Sequence, residues 1–329
     1  MIRVKRRRLL IVASAAFFVP AIVHGQRPSQ PLRVGVLIDT PIGDANVLEV
    51  LFERLAANGF VKNRDVIIEV GSNDLDLAKI PELARKMVAA NPNVILTTHE
   101  EWADALKRET STIPIVFSFV SEPVERGYVL SLSRSGTNMV GVTDRGNEMT
   151  IKRMELLREA FPIARRLLVI AAFSFFSKAE IATIHKASDQ LKFALIESDI
   201  SGQSVEKVLK DARRERPDCV LPIGGMDIRP GEQGVKRLEE FVALSRIPII
   251  YTNSKIVDRG GLMSLDIDRA ENIRRSSDLV VKILKGSRPA EMPVEQAAKF
   301  EFVVNLKTAK ALGLKISQSI LVRANRVIE

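Results

Sequence analysis

Two histidines lie beyond the N-terminal segment, His99 and His185, and neither falls in a metal-ligand spacing such as His-x-x-x-His. His99 closes the run Ile95-Leu-Thr-Thr-His-Glu, a strand end, where a side chain can line a cleft. His185 falls in a polar helical stretch, 178–190, and is expected to be exposed. Asp39, Glu100, Glu122 and Asp266 are acids near strand ends, but no spacing pairs two of them as general acid and base. No Gly-x-Ser-x-Gly elbow, Walker loop or Gly-x-Gly-x-x-Gly fingerprint occurs. Gly224-Gly225 could let a ligand approach the backbone, or simply make a tight turn. The single cysteine, Cys219, cannot form an intrachain disulfide and reads as a core residue. An enzyme is therefore not expected, nor any resident metal or cofactor.

What remains is a set of hydroxyls, acids and rings where strands end. In the first half these are Asp39, Thr40, Thr98, His99, Ser121 and Glu122; in the second, Phe173, Gly225, Tyr251 and Asn253. Such a set suits a small polar ligand with an apolar part. Each residue also has a plainer reading as a turn or cap.

The elements that must position them follow an alternation of short apolar runs and amphipathic stretches. Strands are predicted at 32–38, 66–70, 94–97, 113–119 and 139–142, and again at 167–172, 193–198, 219–223 and 247–252. Helices are predicted between them, at 45–58, 77–90, 149–160 and 204–215. Gly59 is placed to cap the first of these, and Ser204 or Gln203 to start the last at Val205. Continuous apolar strands alternating with helices imply parallel sheets covered on both faces. A chain of this length exceeds one core, so two α/β halves are expected, with ligands bound outside the carboxyl ends of the strands.

The N-terminus reads as a cleavable export signal over residues 1–25. Arg3, Lys5, Arg6, Arg7 and Arg8 precede an apolar run from Leu9, which Pro20 interrupts. The run is short for a membrane span, which takes ~20 residues, and no cysteine near the cleavage site offers a lipid anchor. Those five cations carry much of the formal charge of +9. Elsewhere Lys and Arg are interspersed with acids, as at Arg213-Arg214-Glu215-Arg216, which argues against nucleic-acid binding.

Residues 300–314 are the most specific stretch. Phe300, Phe302 and Val304 alternate with Glu301 and Val303 as a strand; Asn305 stops it, Lys307 to Leu312 take helical spacing, and Gly313 ends the helix. This block resembles the C-terminal signature of the bacterial ABC-transporter substrate-binding proteins of the aromatic-amino-acid type. Thr112-Ile-Pro-Ile-Val-Phe117, Glu122-Pro123-Val124, Asn138-Met-Val-Gly-Val-Thr143 and Lys152-Arg-Met-Glu-Leu-Leu157 are similar to family segments, with Glu122 where Asp is usual. Ile247-Pro248, Tyr251, Gly260-Gly-Leu-Met-Ser264 and Leu284-Lys-Gly286 follow in the family's order.

The resemblance implies a fold of α/β class: two doubly wound parallel-sheet lobes of the type I periplasmic-binding kind, joined by three hinge crossovers. Crossings are expected near 143–147, Asn253 and 289–293, giving a first lobe of 32–145 and 254–290 and a second of 146–253 and 291–329. It further implies a monomeric periplasmic receptor that captures an amino acid or related metabolite and presents it to an inner-membrane ABC permease. A sensory receptor signalling through a membrane partner without transport would use the same cleft. On this resemblance Tyr251 and Glu122 face each other across the cleft, the tyrosine ring on the ligand and its hydroxyl in water.

Overall fold

The computed structural model describes residues 30–39, 45–74, 76–201, 203–224 and 231–329. The expected export signal and the site candidates Thr40 and Gly225 lie outside them.

The chain opens with β1 (Leu32–Ile38), α1 (Ala45–Ala57), β2 (Val66–Ser72), α2 (Ile80–Ala89), β3 (Val94–Thr97), α3 (Glu100–Glu109), β4 (Ile115–Val120) and β5 (Met139–Thr143). It crosses to a second unit with α4 (Gly146–Ala160), β6 (Arg166–Ala171), α5 (Lys178–Gln190), β7 (Ala194–Asp199), α6 (Val205–Arg214) and β8 (Cys219–Pro222). That unit continues with α7 (Gly231–Ser245), β9 (Ile250–Tyr251), α8 (Ser254–Asp258) and β10 (Met263–Ile267). The chain returns for α9 (Arg269–Leu284) and β11 (Glu295–Gln296), then leaves again for β12 (Phe300–Asn305), α10 (Leu306–Leu312), α11 (Gln318–Arg323) and β13 (Arg326–Ile328).

Six strands in the order β11-β5-β4-β3-β1-β2, all parallel, form the first sheet. Its alternation is legible residue by residue. Val34, Val36, Leu96, Val116 and Val140 point to one face, beneath α1 and α9; Leu37, Ile95, Ile115 and Phe117 point to the other, beneath α2 and α3. The edge strand β2 leaves Ile67 and Val70 exposed, whereas the central strands β3, β4 and β5 are buried throughout and mostly apolar. Each such side chain contributes ~1.5–3 kcal/mol on burial.

In the second lobe β7-β6-β8 are parallel, and a bridge from Val220 to Ile249 joins them to the order β9-β10-β12-β13. Here β12 runs antiparallel to β10.

Two crossings fall elsewhere than the sequence suggests. The second was expected near Asn253, but β10 pairs with β9 and β12 in the second sheet, so the chain crosses at Asp268. Ser264 and Asp266 break the apolar run of β10 although both are buried, which hides it as a strand. The third was expected at 289–293, but Glu295–Gln296 pairs with Val142 and Thr143, so the crossing follows at 297–299. The first passes through Asp144 and Arg145, the latter in the left-handed region with φ 59°. Asn305 caps α10 by accepting the Thr308 N–H, and Gly313 closes it with φ 73°.

Candidate functional site

Most of the sequence candidates sit on the loops that follow the carboxyl ends of the parallel strands in each lobe. On the first lobe, Asp39 follows β1 and its carboxylate is held in place by two neighbours. The Trp102 indole N–H donates to Oδ1 at 2.9 Å, and His99 Nε2 lies 3.5 Å from Oδ2. Trp102 is wholly buried in α3, so it fixes the acid from beneath. His99 precedes α3 with extended backbone, and its ring centroid is 6.0 Å from that of Phe119. Thr98, beside it, is wholly buried and its hydroxyl has no hydrogen-bond partner among the described residues. Leaving such a group unsatisfied costs ~1–3 kcal/mol.

The ends of β4 and β5 carry a denser network. Ser121 donates its N–H to Glu100 Oε1 at 3.0 Å and its hydroxyl to Asp144 Oδ1 at 2.8 Å, and its carbonyl accepts Arg126 Nε at 3.1 Å. Asp144 also accepts the Gly146 N–H at 3.0 Å, tying the network to the first crossing. Burial, with Glu101 and Asp144 nearby, pushes the Glu100 carboxyl up to about 7 against the opposing pull of Arg126 and the Ser121 N–H. Glu122 is half-buried in the left-handed region at φ 46°; burial and then Glu125, Glu180 and Asp144 raise its pKa, with Arg126 opposing. Tyr128 is buried and donates to Asp104 Oδ1 at 2.6 Å; burial and that carboxylate push its phenol up.

From Arg126 the network reaches the other lobe. Its Nη2 lies 3.4 Å from both carboxylate oxygens of Glu180, in the first turn of α5. Ser177 and Glu180 form a capping box, in which Ser177 Oγ accepts the Glu180 N–H and Glu180 Oε2 accepts the Ser177 N–H at 2.7 Å.

The second wall is simpler. Phe173 donates its N–H to Asp199 Oδ1 at 3.2 Å, and its ring is 6.0 Å from that of Phe176. The Ser174 and Ser201 hydroxyls are 2.9 Å apart. Burial works to raise the Asp199 pKa, but hydrogen bonds from Ser201 and the Phe173 N–H outweigh it and hold it low. Gly224, at φ 63°, lies under Phe176, where a Cβ would stand 2.9 Å from the ring. Asn253 caps α8 by accepting the Lys255 N–H at 2.9 Å.

Tyr251 departs from the sequence expectation. It is 1 % exposed, its ring packed against Gly261, so it is a core residue of the second lobe and not a ring lining the cleft with a wet hydroxyl. As the last residue of a strand between β10 and the β8 edge it projects to a sheet face, and both faces here are covered.

The sequence also missed a cavity beside the crossings. It encloses about 760 Å³ and is lined by Phe119, Asn253, Asp266, Arg269 and Phe300, among others, from both lobes and two crossings. Phe119 reaches it through a bulge: the β4–β5 register shifts between Ser118 and Val120, and Phe119 takes φ 53°. The Arg269 guanidinium stacks 4.2 Å over its ring. Nothing in the letters marks the bulge. Glu180 was within reach of sequence reading, since Ser177-x-x-Glu180 is a capping-box pattern.

Two α/β lobes with parallel sheets joined by three crossings are the architecture of the type I periplasmic-binding and LacI-like fold, which this chain shares with solved structures only 11–12% identical to it. Residues 33–328 match the model of the ABC transporter substrate binding protein family, and the chain belongs to that family, whose members bind and do not catalyse. It is thus the substrate-binding protein of an ABC transporter, of an extracytoplasmic family. A tyrosine-binding protein of Clostridioides difficile is 24% identical over 266 residues, covering 80% of this chain and 75% of that one. Among solved structures, an ABC domain in complex with L-Trp from Streptococcus pneumonia superposes with TM-score 0.81 at 21% identity, over 91% of this chain and 100% of that one. A conserved domain protein of Vibrio cholerae gives TM-score 0.79 at 23% identity, again over 91% and 100%.

Proposed function

We propose that this protein captures a free L-amino acid with a large or aromatic side chain between its lobes and delivers it to an inner-membrane ABC permease. It works as a monomer in the periplasm, after removal of residues 1–25. Support for the reading comes from a contrast between the strand-end loops of the two lobes. One wall offers carboxylates at Asp39 and Glu122 and the start of α3 at His99 and Glu100; the other offers Phe173 and Phe176. A zwitterion needs both an anion to receive its ammonium group and free backbone N–H groups for its carboxylate, which a helix start supplies. Its side chain needs aromatic or apolar contact. The relatives that bind tyrosine and L-Trp support the same class. Bridging both walls favours the closed arrangement, reached by rotation about the crossings at 144–145, 268 and 297–299.

A thermal-shift screen of residues 26–329 against the amino acids, nucleobases and small carboxylates tests this. A ligand at 100 times its Kd adds about 2.7 kcal/mol of stability. Aromatic amino acids are expected to raise the melting temperature, and a screen in which only nucleobases or non-amino carboxylates do so overturns the reading.

A further inference from the structure

We infer that Arg126 and Glu180 form a latch that holds the two lobes together over the cleft and sets how long the captured solute stays. Arg126 belongs to the first lobe and Glu180 to the second, and their side chains are only 14% and 3% exposed. Each half is positioned by its own lobe. Arg126 is braced by the Ser121 carbonyl at 3.1 Å, and burial works against its charge while Glu100 and then Glu180 favour it. Glu180 is braced by the capping box of α5, where Oε2 accepts the Ser177 N–H at 2.7 Å. Neither side chain therefore has to be ordered when the lobes meet, so little rotamer entropy is lost on closing.

The contact itself is long, 3.4 Å to each carboxylate oxygen, at the weak end of hydrogen bonding. A bond of this strength can bias closure and still be broken at release. It also acts next to the Ser121–Glu122 turn, because the same guanidinium donates to the Ser121 carbonyl. Closing through Glu180 thereby stiffens the turn that presents Glu122 to the cleft. Arg126 and Glu180 are positioning residues in this scheme, since they act through the lobes and that turn and touch no ligand themselves.

The identity of the solute rests on the amino-acid reading above, but the latch can be tested with or without it. Glu180→Gln removes the charge yet keeps an amide oxygen to accept the Ser177 N–H. Ser177→Ala breaks the same capping box and leaves the Glu180 carboxylate intact, so it reports what loosening α5 alone does. Small-angle scattering of the ligand-free proteins is the first readout, and stopped-flow dissociation of L-tryptophan the second. Glu180→Gln is expected to enlarge the radius of gyration or to speed dissociation about tenfold with association nearly unchanged, while Ser177→Ala matches wild type in both. If Glu180→Gln matches wild type in both, or if Ser177→Ala reproduces its effect, there is no latch. Should L-tryptophan and every other amino acid fail to bind, the functional reading falls and the radius of gyration alone decides the latch.

Discussion

On the first lobe's side of the cleft, Asp39, Glu100, Ser121 and Asp144 are each tied to neighbours by hydrogen bonds, and Trp102 and Tyr128 anchor the set from the core. On the second lobe's side, Phe173, Ser174 and Ser201 sit on partly exposed turns held by Asp199 and by the Ser174–Ser201 hydroxyl contact. The first wall is a polar receptor whose geometry is fixed by the sheet and by α3. The second is a surface of rings and hydroxyls carried by loops, able to adjust to what the first wall holds. Preorganisation on one side and adaptability on the other is an economical way to bind tightly and still release. It also means that substitutions differ in kind: those in the hydrogen-bonded network of the first wall should disturb folding as well as binding, while those at its Glu122 and on the second wall should disturb binding alone.

The largest effect should come from Arg126→Met. It leaves Glu180, at 3% side-chain exposure, and Glu100 without their cation. Removing one partner of a buried ion pair costs ~3–5 kcal/mol, and the lower end applies because Arg126 is partly hydrated. Urea unfolding at pH 7.5 measures it. A loss below ~1 kcal/mol would mean the network is no more than surface charge.

Glu100→Gln comes next and has the opposite sign. The Glu100 carboxyl is raised from 4.5 to about 7, so the folded protein holds that proton more tightly than the unfolded chain. Stability is then lost as pH rises from 4.5 through 7, and the loss is complete above 7. Glutamine keeps an acceptor for the Ser121 N–H and cannot ionise. The variant should be more stable than wild type by ~2 kcal/mol at pH 8, with the two converging below pH 4.5. Parallel melting curves across that range would place Glu100 in water.

Glu122→Ala tests the part of the first wall that faces the ligand. Glu122 stands in a left-handed turn with Pro123 following, and its carboxylate is half-buried. Amino-acid affinity should fall by ~1–3 kcal/mol with the melting temperature within a degree or two, as calorimetry and a thermal scan can show. The smallest effect belongs to the second wall: Ser174→Ala loses one hydroxyl contact to Ser201 on an exposed turn and should shift stability by less than ~0.5 kcal/mol. If it matches Arg126→Met in cost, the contrast between the walls is wrong.

How far the letters reach can be judged from particular elements. The strand and helix of 300–312 were readable because periodicity, a capping asparagine and a closing glycine agree there. Strand β10 was not, because buried Ser264 and Asp266 interrupt its pattern, and with it the second crossing was misplaced. Asp39, His99, Ser121 and Glu122 could be placed at strand ends since strand ends are visible as the close of an apolar run. Arg126 and Glu180 stand 54 residues apart and meet only through the packing of two lobes, which no local spacing encodes. Phe119 depends on a bulge, and Tyr251 on which face of a short strand it takes, both decided by neighbouring strands.

The claim that an amino acid is held between the two walls is tested most directly by calorimetric titration of residues 26–329 with L-tryptophan and L-tyrosine at several temperatures. The account predicts one site per chain and a negative heat-capacity change, because closing the lobes removes the partly exposed apolar surfaces of Phe173 and Phe176 from water. No heat with either amino acid, or binding whose heat capacity is unchanged, would contradict it.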